Sequence, residues 1–387
     1  MSDHTLSRRE LLVAGGATLA TMALFNSRLA QAAPLRQSEV VIPWLDQPEE
    51  NPVPEVIDNQ LVWEDIDSWI TPNDQFFGIA HYEWPEINAG QWQLTIDGLV
   101  ENPLSLTLAD LKARPRQELT YTIECSGNTG LPFFDGGIGN ANWAGTPLAL
   151  LLEEAEVLKE GSEVVFFGAD KGEETVRETP MVQHFARSMS LAEAMHSGNL
   201  LCYEMNGESL PARNGARLRL IAPGWYGIAN VKWLERIEIW DTRLANRFMA
   251  RDYVTVRQAG SEAEPVWTES LVGRSLLKSA PARVVRNGDE YRIEGAAWGA
   301  PIRSVQVQID DGPWRRAELA PGQQSEYTWS FWTFDWANPT PGEHAITTRA
   351  VDTDGQVQPT QDEPQIANKI TYWESNGQIT RRVNIPA

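Results

Sequence analysis

Apolar residues recur along the first half of the chain at both helical and strand spacings. Residues 146–158 ("TPLALLLEEAEVL") place their leucines on one helical face, with Thr146 as the expected N-cap and Pro147 as the expected first helical residue. Short apolar runs bounded by turn residues predict buried strands at 162–170 ("SEVVFFGAD") and 199–207 ("NLLCYEMNG"). We expect the first of these strands to end in a loop at Asp170.

Two shorter helices complete the pattern of this half. One begins near Leu108 and ends before Pro115, and the other runs through "SLAEAMHSG" to Gly198. Strands and helices intermingle without the regular strand–helix–strand repeat of a doubly wound sheet. The first half is therefore predicted to be an α+β domain, which we place at residues 61–258.

The pattern changes near Gly260. From Val272 onward, short alternating segments are separated every ten residues or so by Asn-Gly, Asp-Gly and Pro-Gly turns. This spacing predicts an immunoglobulin-like β-sandwich over residues 262–387. Residues 33–60 are rich in proline and acidic residues and are expected to form an extended arm or linker.

The N-terminus has the pattern of an export signal. Arg8 and Arg9 directly precede an apolar run from Leu11 to Phe25, and small residues suited to cleavage follow at "LAQA". The arginine pair favours a twin-arginine signal over residues 1–32, with an ordinary secretory signal as the alternative. We therefore expect a periplasmic protein that folds before export and has no membrane span once the signal is removed.

Charge narrows the possible partners. The 387 residues include 53 acidic and 32 basic ones, which gives a net charge of −21. Nucleic acids and anionic membranes need clustered lysine or arginine, so both are unexpected as partners. The charge suits an exported protein or one with a basic partner, although a merely soluble acidic surface would explain it equally well.

Only two cysteines are present, and they stand in different surroundings. Cys202 lies in an apolar strand and is expected to be a small buried hydrophobe. Cys125 follows the alternating run of "YTIECSGNTG" and precedes a glycine-rich turn. It could be a nucleophile with His81 or His184 as its base, a structural residue or disulfide partner, or the single protein ligand of a metal whose other ligands come from a cofactor. Cysteine and histidine spacings do not predict a zinc site.

The cysteine loop and its flanks resemble the sulfite oxidase family of molybdopterin enzymes. The matching segments follow the family's order and cover nearly everything after the signal. The final domain resembles the family's dimerisation domain. The segments are "NDQFFGIAHYEWP", "ECSGNTG", "NANWAGTPLALLLEEA", "CYEMNGESLPARNGARLRLIAPGWYGIANVKWLERIEIW", "MARDYV", "IEGAAWG", "VQVQIDDGPW" and "AVDTDGQVQP".

The resemblance implies a molybdenum–molybdopterin cofactor and assigns it site residues. Cys125 would bind molybdenum through sulfur, Tyr253 would lie beside the metal, and Trp143 would form a wall of the substrate pocket. Arg219 would bind the pterin phosphate. The other expected cofactor contacts are Phe77, His81, Asp170, Asn214, Asn230 and Lys232, of which Asn214 stands where the family usually has a histidine.

Departures from the family concern the substrate. The family's substrate-binding arginines correspond here to Ile79, which precedes Ala80, and to Thr129 and Gly130; Lys369 is a possible replacement for a third. Losing two guanidinium groups would weaken the binding of sulfite strongly, because each charged hydrogen bond contributes about 1.5–3 kcal/mol. Four other arginines could compensate: Arg187, Arg213, Arg251 and Arg257.

Three functions remain open from the sequence. The favoured one is two-electron oxidation of sulfite or a related sulfur compound by oxygen-atom transfer. The second is action on a non-sulfite substrate, such as a protein-bound sulfur species, and the third is a cofactor-free secreted β-sandwich binding protein. Since the sequence holds no haem-attachment or second cofactor motif, an enzyme of this kind would pass its electrons to a separate acceptor, expected to be a c-type cytochrome. By resemblance it would be a homodimer.

Overall fold

The strands of the described chain form four β-sheets and two two-stranded ribbons. The computed structural model describes residues 35, 38–260, 264–322 and 325–387, so the predicted signal lies outside the described residues. Five short helices are present in the described part: α1 (Leu108–Lys112), α2 (Leu148–Ala155), α3 (Leu191–Ala194), α4 (Arg247–Ala250) and α5 (Pro364–Ala367). The strands are β1 (Val40–Ile42), β2 (Ile57–Asp58), β3 (Gly78–Ile79), β4 (Leu94–Gly98), β5 (Leu104–Leu106), β6 (Gln117–Glu124), β7 (Ile138–Pro147), β8 (Glu163–Val176), β9 (Thr179–Ser190), β10 (Leu200–Met205), β11 (Glu208–Ser209), β12 (Arg219–Ile221), β13 (Leu234–Trp240), β14 (Val254–Gly260), β15 (Pro265–Leu271), β16 (Lys278–Asn287), β17 (Glu290–Trp298), β18 (Ile302–Ile309), β19 (Arg315–Arg316), β20 (Glu318–Leu319), β21 (Ser330–Trp336), β22 (Gly342–Asp352) and β23 (Ile379–Ile385).

The first half contains one mixed sheet and one antiparallel sheet, with helices packed against them. One sheet has the order β5-β4-β13-β8-β9, in which β4 and β13 are parallel. The other has the order β11-β10-β7-β6, with β12 also beside β10. In β4 alternate residues point inward, and Leu94 and Ile96 share a core with Leu148 and Leu152 of α2. Strands β7 and β10 are buried at most consecutive positions. This arrangement confirms the predicted α+β class.

The second half is the predicted β-sandwich. One sheet has the order β1-β16-β17-β21-β20, and the other has the order β19-β18-β22-β23. Their inward side chains share one core that includes Val284, Ile293, Val305 and Ile346. The chain before the first domain also contributes, because β1 pairs antiparallel with β16 and Trp44 donates its indole N–H to the Ala282 carbonyl at 3.0 Å. This part of the proline-rich arm therefore completes the edge of the sandwich.

The start of helix α2 differs from the prediction. Thr146 is the penultimate residue of β7, and its hydroxyl donates to the Leu111 carbonyl at 2.9 Å. Pro147 is therefore the N-cap, and the Leu148 N–H donates to the Asn199 carbonyl at 3.0 Å instead. The predicted cap is wrong because the buried threonine satisfies a carbonyl of a neighbouring helix, which a local pattern does not reveal.

Strand β8 is longer than predicted. It continues past Asp170 to Val176, although its pairing with β9 shifts between Phe167 and Lys171. Such an irregularity re-aims side chains without ending a strand. Asp170 therefore lies at a bulge in a long strand, not in a terminal loop. In the part of the chain that the structure describes, no helix is long and apolar enough to cross a membrane.

Candidate cofactor site

One cavity in the first domain collects almost all of the predicted site residues. Its empty space is about 650 Å³ when the open mouth is included. Its lining comes from strands of both sheets and from the loops between them. The predicted residues on this lining are Phe77, His81, Cys125, Asp170, Asn214, Arg219, Asn230, Lys232 and Tyr253.

Cys125 enters the cavity from the end of β6. Its backbone N–H donates to the Gly137 carbonyl at 2.8 Å, and the Asn128 N–H closes the following turn onto the Cys125 carbonyl at 3.0 Å. The thiol is free and only partly exposed, and burial raises its pKa to about 12. An unliganded thiolate is therefore unfavourable here, whereas a bound metal would stabilise the deprotonated form.

Two alternatives for Cys125 are not supported by this geometry. Both cysteines are free, so the possible disulfide is absent, and Cys202 is fully buried in β10 as expected. A ring nitrogen of His81 contacts the Tyr253 hydroxyl, and Nδ1 of His184 lies 2.9 Å from the Gly168 carbonyl oxygen. Neither ring is therefore placed as a base for the thiol.

Arg219 brings an unpaired positive charge to the cavity. It lies on β12 and is 4 % exposed. Its two terminal nitrogens donate to the carbonyls of Asn214 and Asn230 at 2.9 and 3.2 Å, while Nε has no partner. Burial lowers its pKa to about 10. A buried guanidinium without a carboxylate is costly, so this position is well suited to an anionic group such as a phosphate.

Trp143 supports Arg219 from behind the cavity. The guanidinium carbon lies 4.8 Å from the centre of the Trp143 ring. The indole is fully buried, its N–H donates to the Tyr121 carbonyl at 3.2 Å, and its ring packs edge-on against Phe76. The structure therefore places Trp143 against Arg219, and Trp143 is not among the residues that line this cavity, where we expected it.

Lys232 and Asp170 supply further polar groups. Lys232 donates to the Ile79 carbonyl at 2.7 Å and lies over the rings of Trp233 and Trp84. Burial, with Arg219 nearby, lowers its pKa to about 7. Burial raises the pKa of Asp170 to about 6. An oxygen atom of Asp170 is buried without a hydrogen-bond partner, as is one of Asn214, so both are available to a polar ligand.

His81 and Tyr253 form a neutral pair on the lining of the cavity. They share a hydrogen bond, and the His81 ring stacks on Phe185 at 5.1 Å. Burial, aided by Lys232, lowers the pKa of His81 to about 3. Burial also raises the pKa of Tyr253 well above its usual value. At neutral pH both groups are therefore uncharged hydrogen-bonding partners.

Two family profiles match the two domains. The oxidoreductase molybdopterin binding domain matches residues 81–248, and the Mo-co oxidoreductase dimerisation domain matches residues 272–376. Sulfite oxidase from Gallus gallus is 30% identical over 323 residues, which cover 75% of this chain and 68% of that protein. This chain belongs to the sulfite oxidase family. It is a molybdenum-dependent oxidoreductase with a molybdenum–molybdopterin cofactor, so the cofactor-free binding protein is excluded.

Other relatives share the same core. Mitochondrial sulfite oxidase from Drosophila melanogaster is 31% identical, with 76% of this chain and 56% of that protein covered. The chain thus spans little more than half the length of several curated relatives. Sulfane dehydrogenase SoxCD from Paracoccus pantotrophus has a similar structure, with a TM-score of 0.74, 27% identity, and coverage of 94% of this chain and 92% of that chain.

The residues around the cavity fit the family's cofactor. Cys125 offers one soft ligand, and no group of three or more histidine, cysteine or acidic side chains in the described ranges could hold a metal by itself. Arg219 offers a positive charge for a phosphate. The unpaired oxygen atoms of Asp170 and Asn214 suit a polar heterocycle. These residues would hold the molybdopterin, with Cys125 on its metal.

Several lining residues were not predicted as cofactor contacts. Arg213 reaches the cavity while ion-paired to Asp58, and Phe185 and Trp233 add aromatic walls. Arg213 stands in "PARNGARLRL", inside the longest segment that resembles the family, and this position could have indicated a role at the cofactor site. The aromatic residues had no distinguishing pattern in the sequence.

The second domain reaches the cysteine loop through residues 369–375. Trp373 stacks on Tyr253 with ring centres 4.2 Å apart, and Tyr372 packs on Trp373 at 4.0 Å. The Glu374 N–H donates to the Ser126 carbonyl at 2.7 Å. Sequence comparison was loose in this region, so these aromatic residues were missed. They place aromatic side chains next to Tyr253 in a region where a substrate-binding arginine was expected.

Proposed function

We propose that this protein is an exported molybdenum enzyme that oxidises a sulfur compound carrying less negative charge than sulfite. The observation that carries the proposal is the surroundings of Gly130. A Cβ atom at this position would overlap the Tyr372 carbonyl. The second domain therefore fills the space from which an arginine side chain would start.

The remaining cations near the loop are engaged. Lys369 donates to the Trp373 carbonyl at 2.5 Å and to the Ser375 hydroxyl at 2.8 Å, and burial lowers its pKa to about 8. Ile79 contributes an apolar side chain to the cavity lining. These contacts support a substrate-binding side, next to Ile79 and Gly130, that has little positive charge beyond the cations assigned to the cofactor, so a dianion would be poorly stabilised there.

The four candidate replacement arginines also have other partners. Arg187 is buried and donates to the carbonyls of Phe248 and Val272, Arg213 pairs with Asp58, Arg251 lies beside Gln183, and Arg257 lies 3.7 Å from Glu374. Arg187 and Arg213 each have an unsatisfied Nε, but only Arg187 acts electrostatically on Tyr253. Arg187 is the best placed of the four to add positive charge near Tyr253. A single buried cation of this kind favours a monoanionic or neutral substrate.

The cofactor and the surrounding side chains would have the separate roles that the family resemblance implies. The cofactor supplies two-electron oxidation with oxygen-atom transfer when it is bound. Cys125 would hold its metal, Arg219 would anchor its phosphate, and the neutral Tyr253 hydroxyl would orient the substrate with His81 fixing the hydroxyl. Trp373, stacked on Tyr253, would exclude water from the same side.

The electrons would leave one at a time to a separate periplasmic c-type cytochrome. Three features support this part of the proposal: the twin arginines at the N-terminus, the absence of a haem-attachment motif in the sequence, and the structural similarity to SoxCD. A net charge of −21 would attract a basic acceptor. The matched dimerisation domain supports a homodimer.

A substrate panel tests the proposal. Purified holoenzyme is mixed anaerobically with sulfite, thiosulfate and a low-molecular-weight persulfide, and bleaching of the metal–thiolate absorption is followed by stopped flow. We expect bleaching by a neutral or monoanionic sulfur compound at concentrations where sulfite bleaches slowly. Rapid bleaching by micromolar sulfite alone would contradict the proposal and assign the protein as a sulfite oxidase.

A further inference from the structure

Glu124, the residue before Cys125, is bound by both domains. Its carboxylate is fully buried. One oxygen accepts from Lys278 Nζ at 2.6 Å and from Asn128 Nδ2 at 3.0 Å, and the other accepts from the indole N–H of Trp298 at 2.8 Å. Lys278 and Trp298 belong to the second domain, where they are directly paired across β16 and β17.

The same lysine also holds the residues after the cysteine. Lys278 Nζ lies 3.2 Å from the Thr129 hydroxyl and 3.5 Å from the Asn128 carbonyl. The Asn128 side chain in turn accepts from the Gly137 N–H at 2.9 Å. Since the Gly137 carbonyl accepts from the Cys125 N–H, the chain is fixed on both sides of Cys125 by one connected set of hydrogen bonds.

The ion pair between Lys278 and Glu124 is buried, so it contributes little net stability to the contact between the two domains. The side chains of Lys278 and Glu124 are 1% and 0% exposed. Removing two charges from water costs about as much as their attraction returns, so well-packed apolar residues would join the domains at least as stably. What an ion pair with three defined hydrogen bonds adds is a fixed geometry.

We propose that Lys278 and Trp298 are positioning residues which, through Glu124, set the orientation of the Cys125 sulfur. The dimerisation domain would then help to position the metal ligand in addition to mediating dimerisation. The inference rests on Cys125 being the metal ligand, as the proposed function requires, and is independent of which sulfur compound is oxidised.

Three variants test the pair: Glu124→Gln, Lys278→Met and the two combined. Each single variant leaves one buried charge unpaired, on Lys278 or on Glu124. The double variant leaves none, so it should fold even if a single variant does not. Arg283→Met is the matched control. Arg283 is buried in the same domain and pairs with Glu294 at 2.7 Å, within strands β16 and β17.

The first readout uses cofactor-free protein from a host that cannot make molybdopterin. Alkylation of Cys125 by iodoacetamide is followed by mass spectrometry, and buried Cys202 serves as the internal reference in the same sample. We expect each folded variant of the pair to alkylate Cys125 roughly tenfold faster, because the loop opens more readily, while Cys202 and the Arg283→Met protein stay unchanged. This measurement does not require molybdenum. If the wild-type protein contained no molybdenum, the proposed function would be overturned, but the effect of the pair on the cysteine loop could still be measured.

The second readout uses holoenzyme, normalised per molybdenum. We expect the metal–thiolate absorption band and the EPR signal of the one-electron-reduced metal to shift in the variants of the pair, because both depend on the orientation of the sulfur. The Arg283→Met protein should keep the wild-type spectra even if it melts earlier. Unchanged spectra and unchanged Cys125 alkylation in the double variant would overturn the proposal and leave the pair as an interdomain contact only.

Discussion

Single buried polar atoms define the cofactor site at the residue scale. Arg219 Nε, an oxygen of Asp170 and the side-chain oxygen of Asn214 are buried without partners around one cavity. Folded proteins rarely leave such atoms unsatisfied, because each one costs about 1–3 kcal/mol. The unsatisfied atoms therefore point to a polar ligand that completes the structure.

The first residue-scale prediction concerns Arg219. We expect Arg219→Met to lower the molybdopterin content of the purified protein by at least about tenfold, since each charged hydrogen bond to a phosphate contributes about 1.5–3 kcal/mol. Cofactor is measured by fluorescence of the oxidised pterin. Arg116→Met, which removes an exposed ion pair with Glu118 and Glu204, should keep the wild-type content; an equal loss in both variants would argue against a phosphate site at Arg219.

The second residue-scale prediction is a pH dependence from His81. The pKa of His81 is lowered to about 3 in the folded protein from 6.5. Between these two pKa values the unfolded chain binds a proton at His81 that the folded chain does not bind. The stability of the folded state is therefore unaffected by this group above about pH 6.5 and decreases as the pH falls toward 3. We expect the melting temperature of the cofactor-free protein to fall between pH 7 and pH 4.5 more steeply than that of His81→Gln. Parallel curves for the two proteins would contradict this assignment.

Contacts between elements account for what local sequence patterns missed. The helix at Leu148, the strands and the sandwich were predictable because burial on one face imposes a period on the sequence. The role of Thr146 was not predictable, because its hydroxyl donates to a carbonyl of the neighbouring helix α1 and Pro147 takes the N-cap position instead. Cys125 and Arg219 were predictable from family motifs, whereas Tyr372 and Lys278 come from a second domain whose register on the cysteine loop only the fold determines.

The element-scale prediction concerns the packing of residues 369–375 on the cysteine loop. We expect Gly130→Ala to destabilise the protein by about 1–3 kcal/mol or more, because the new methyl group would overlap the Tyr372 backbone. Gly90→Ala is the control, since its Cβ would lie 3.5 Å from the nearest atom, in the Asn88 side chain. Both are compared by chemical denaturation of cofactor-free protein. Equal stability of the two variants would mean that the second domain does not close on Gly130 in solution.

The whole molecule combines a strongly negative net charge with a cavity that is rich in basic side chains. The net charge of the chain is −21, whereas the lining of the cavity includes the basic side chains of Arg219, Lys232 and Arg213. The negative charge of the chain and the positive charge of the cavity can therefore serve two different functions. The surface can attract a basic protein partner, and the interior can hold an anionic cofactor.

The whole-molecule prediction is the salt dependence of electron transfer. We expect reduction of a basic c-type cytochrome by the substrate-reduced enzyme to slow markedly between 10 and 200 mM salt, because the screening length falls to about 10 Å by 0.1 M. Reduction of an uncharged dye should change little over the same range. A salt-independent cytochrome rate would contradict electrostatic steering by the acidic surface.

The most direct test of the whole account is the molybdenum content of the protein produced in a cofactor-competent host, wild type against Cys125→Ser, with Cys202→Ala as the control. The account predicts about one molybdenum per chain and a metal–thiolate absorption band in the wild type and in Cys202→Ala. It predicts that Cys125→Ser lacks the band, whether or not the pterin remains bound. A wild-type protein without molybdenum, or a Cys125→Ser protein with an unchanged absorption spectrum, would contradict the claim that Cys125 is the metal ligand.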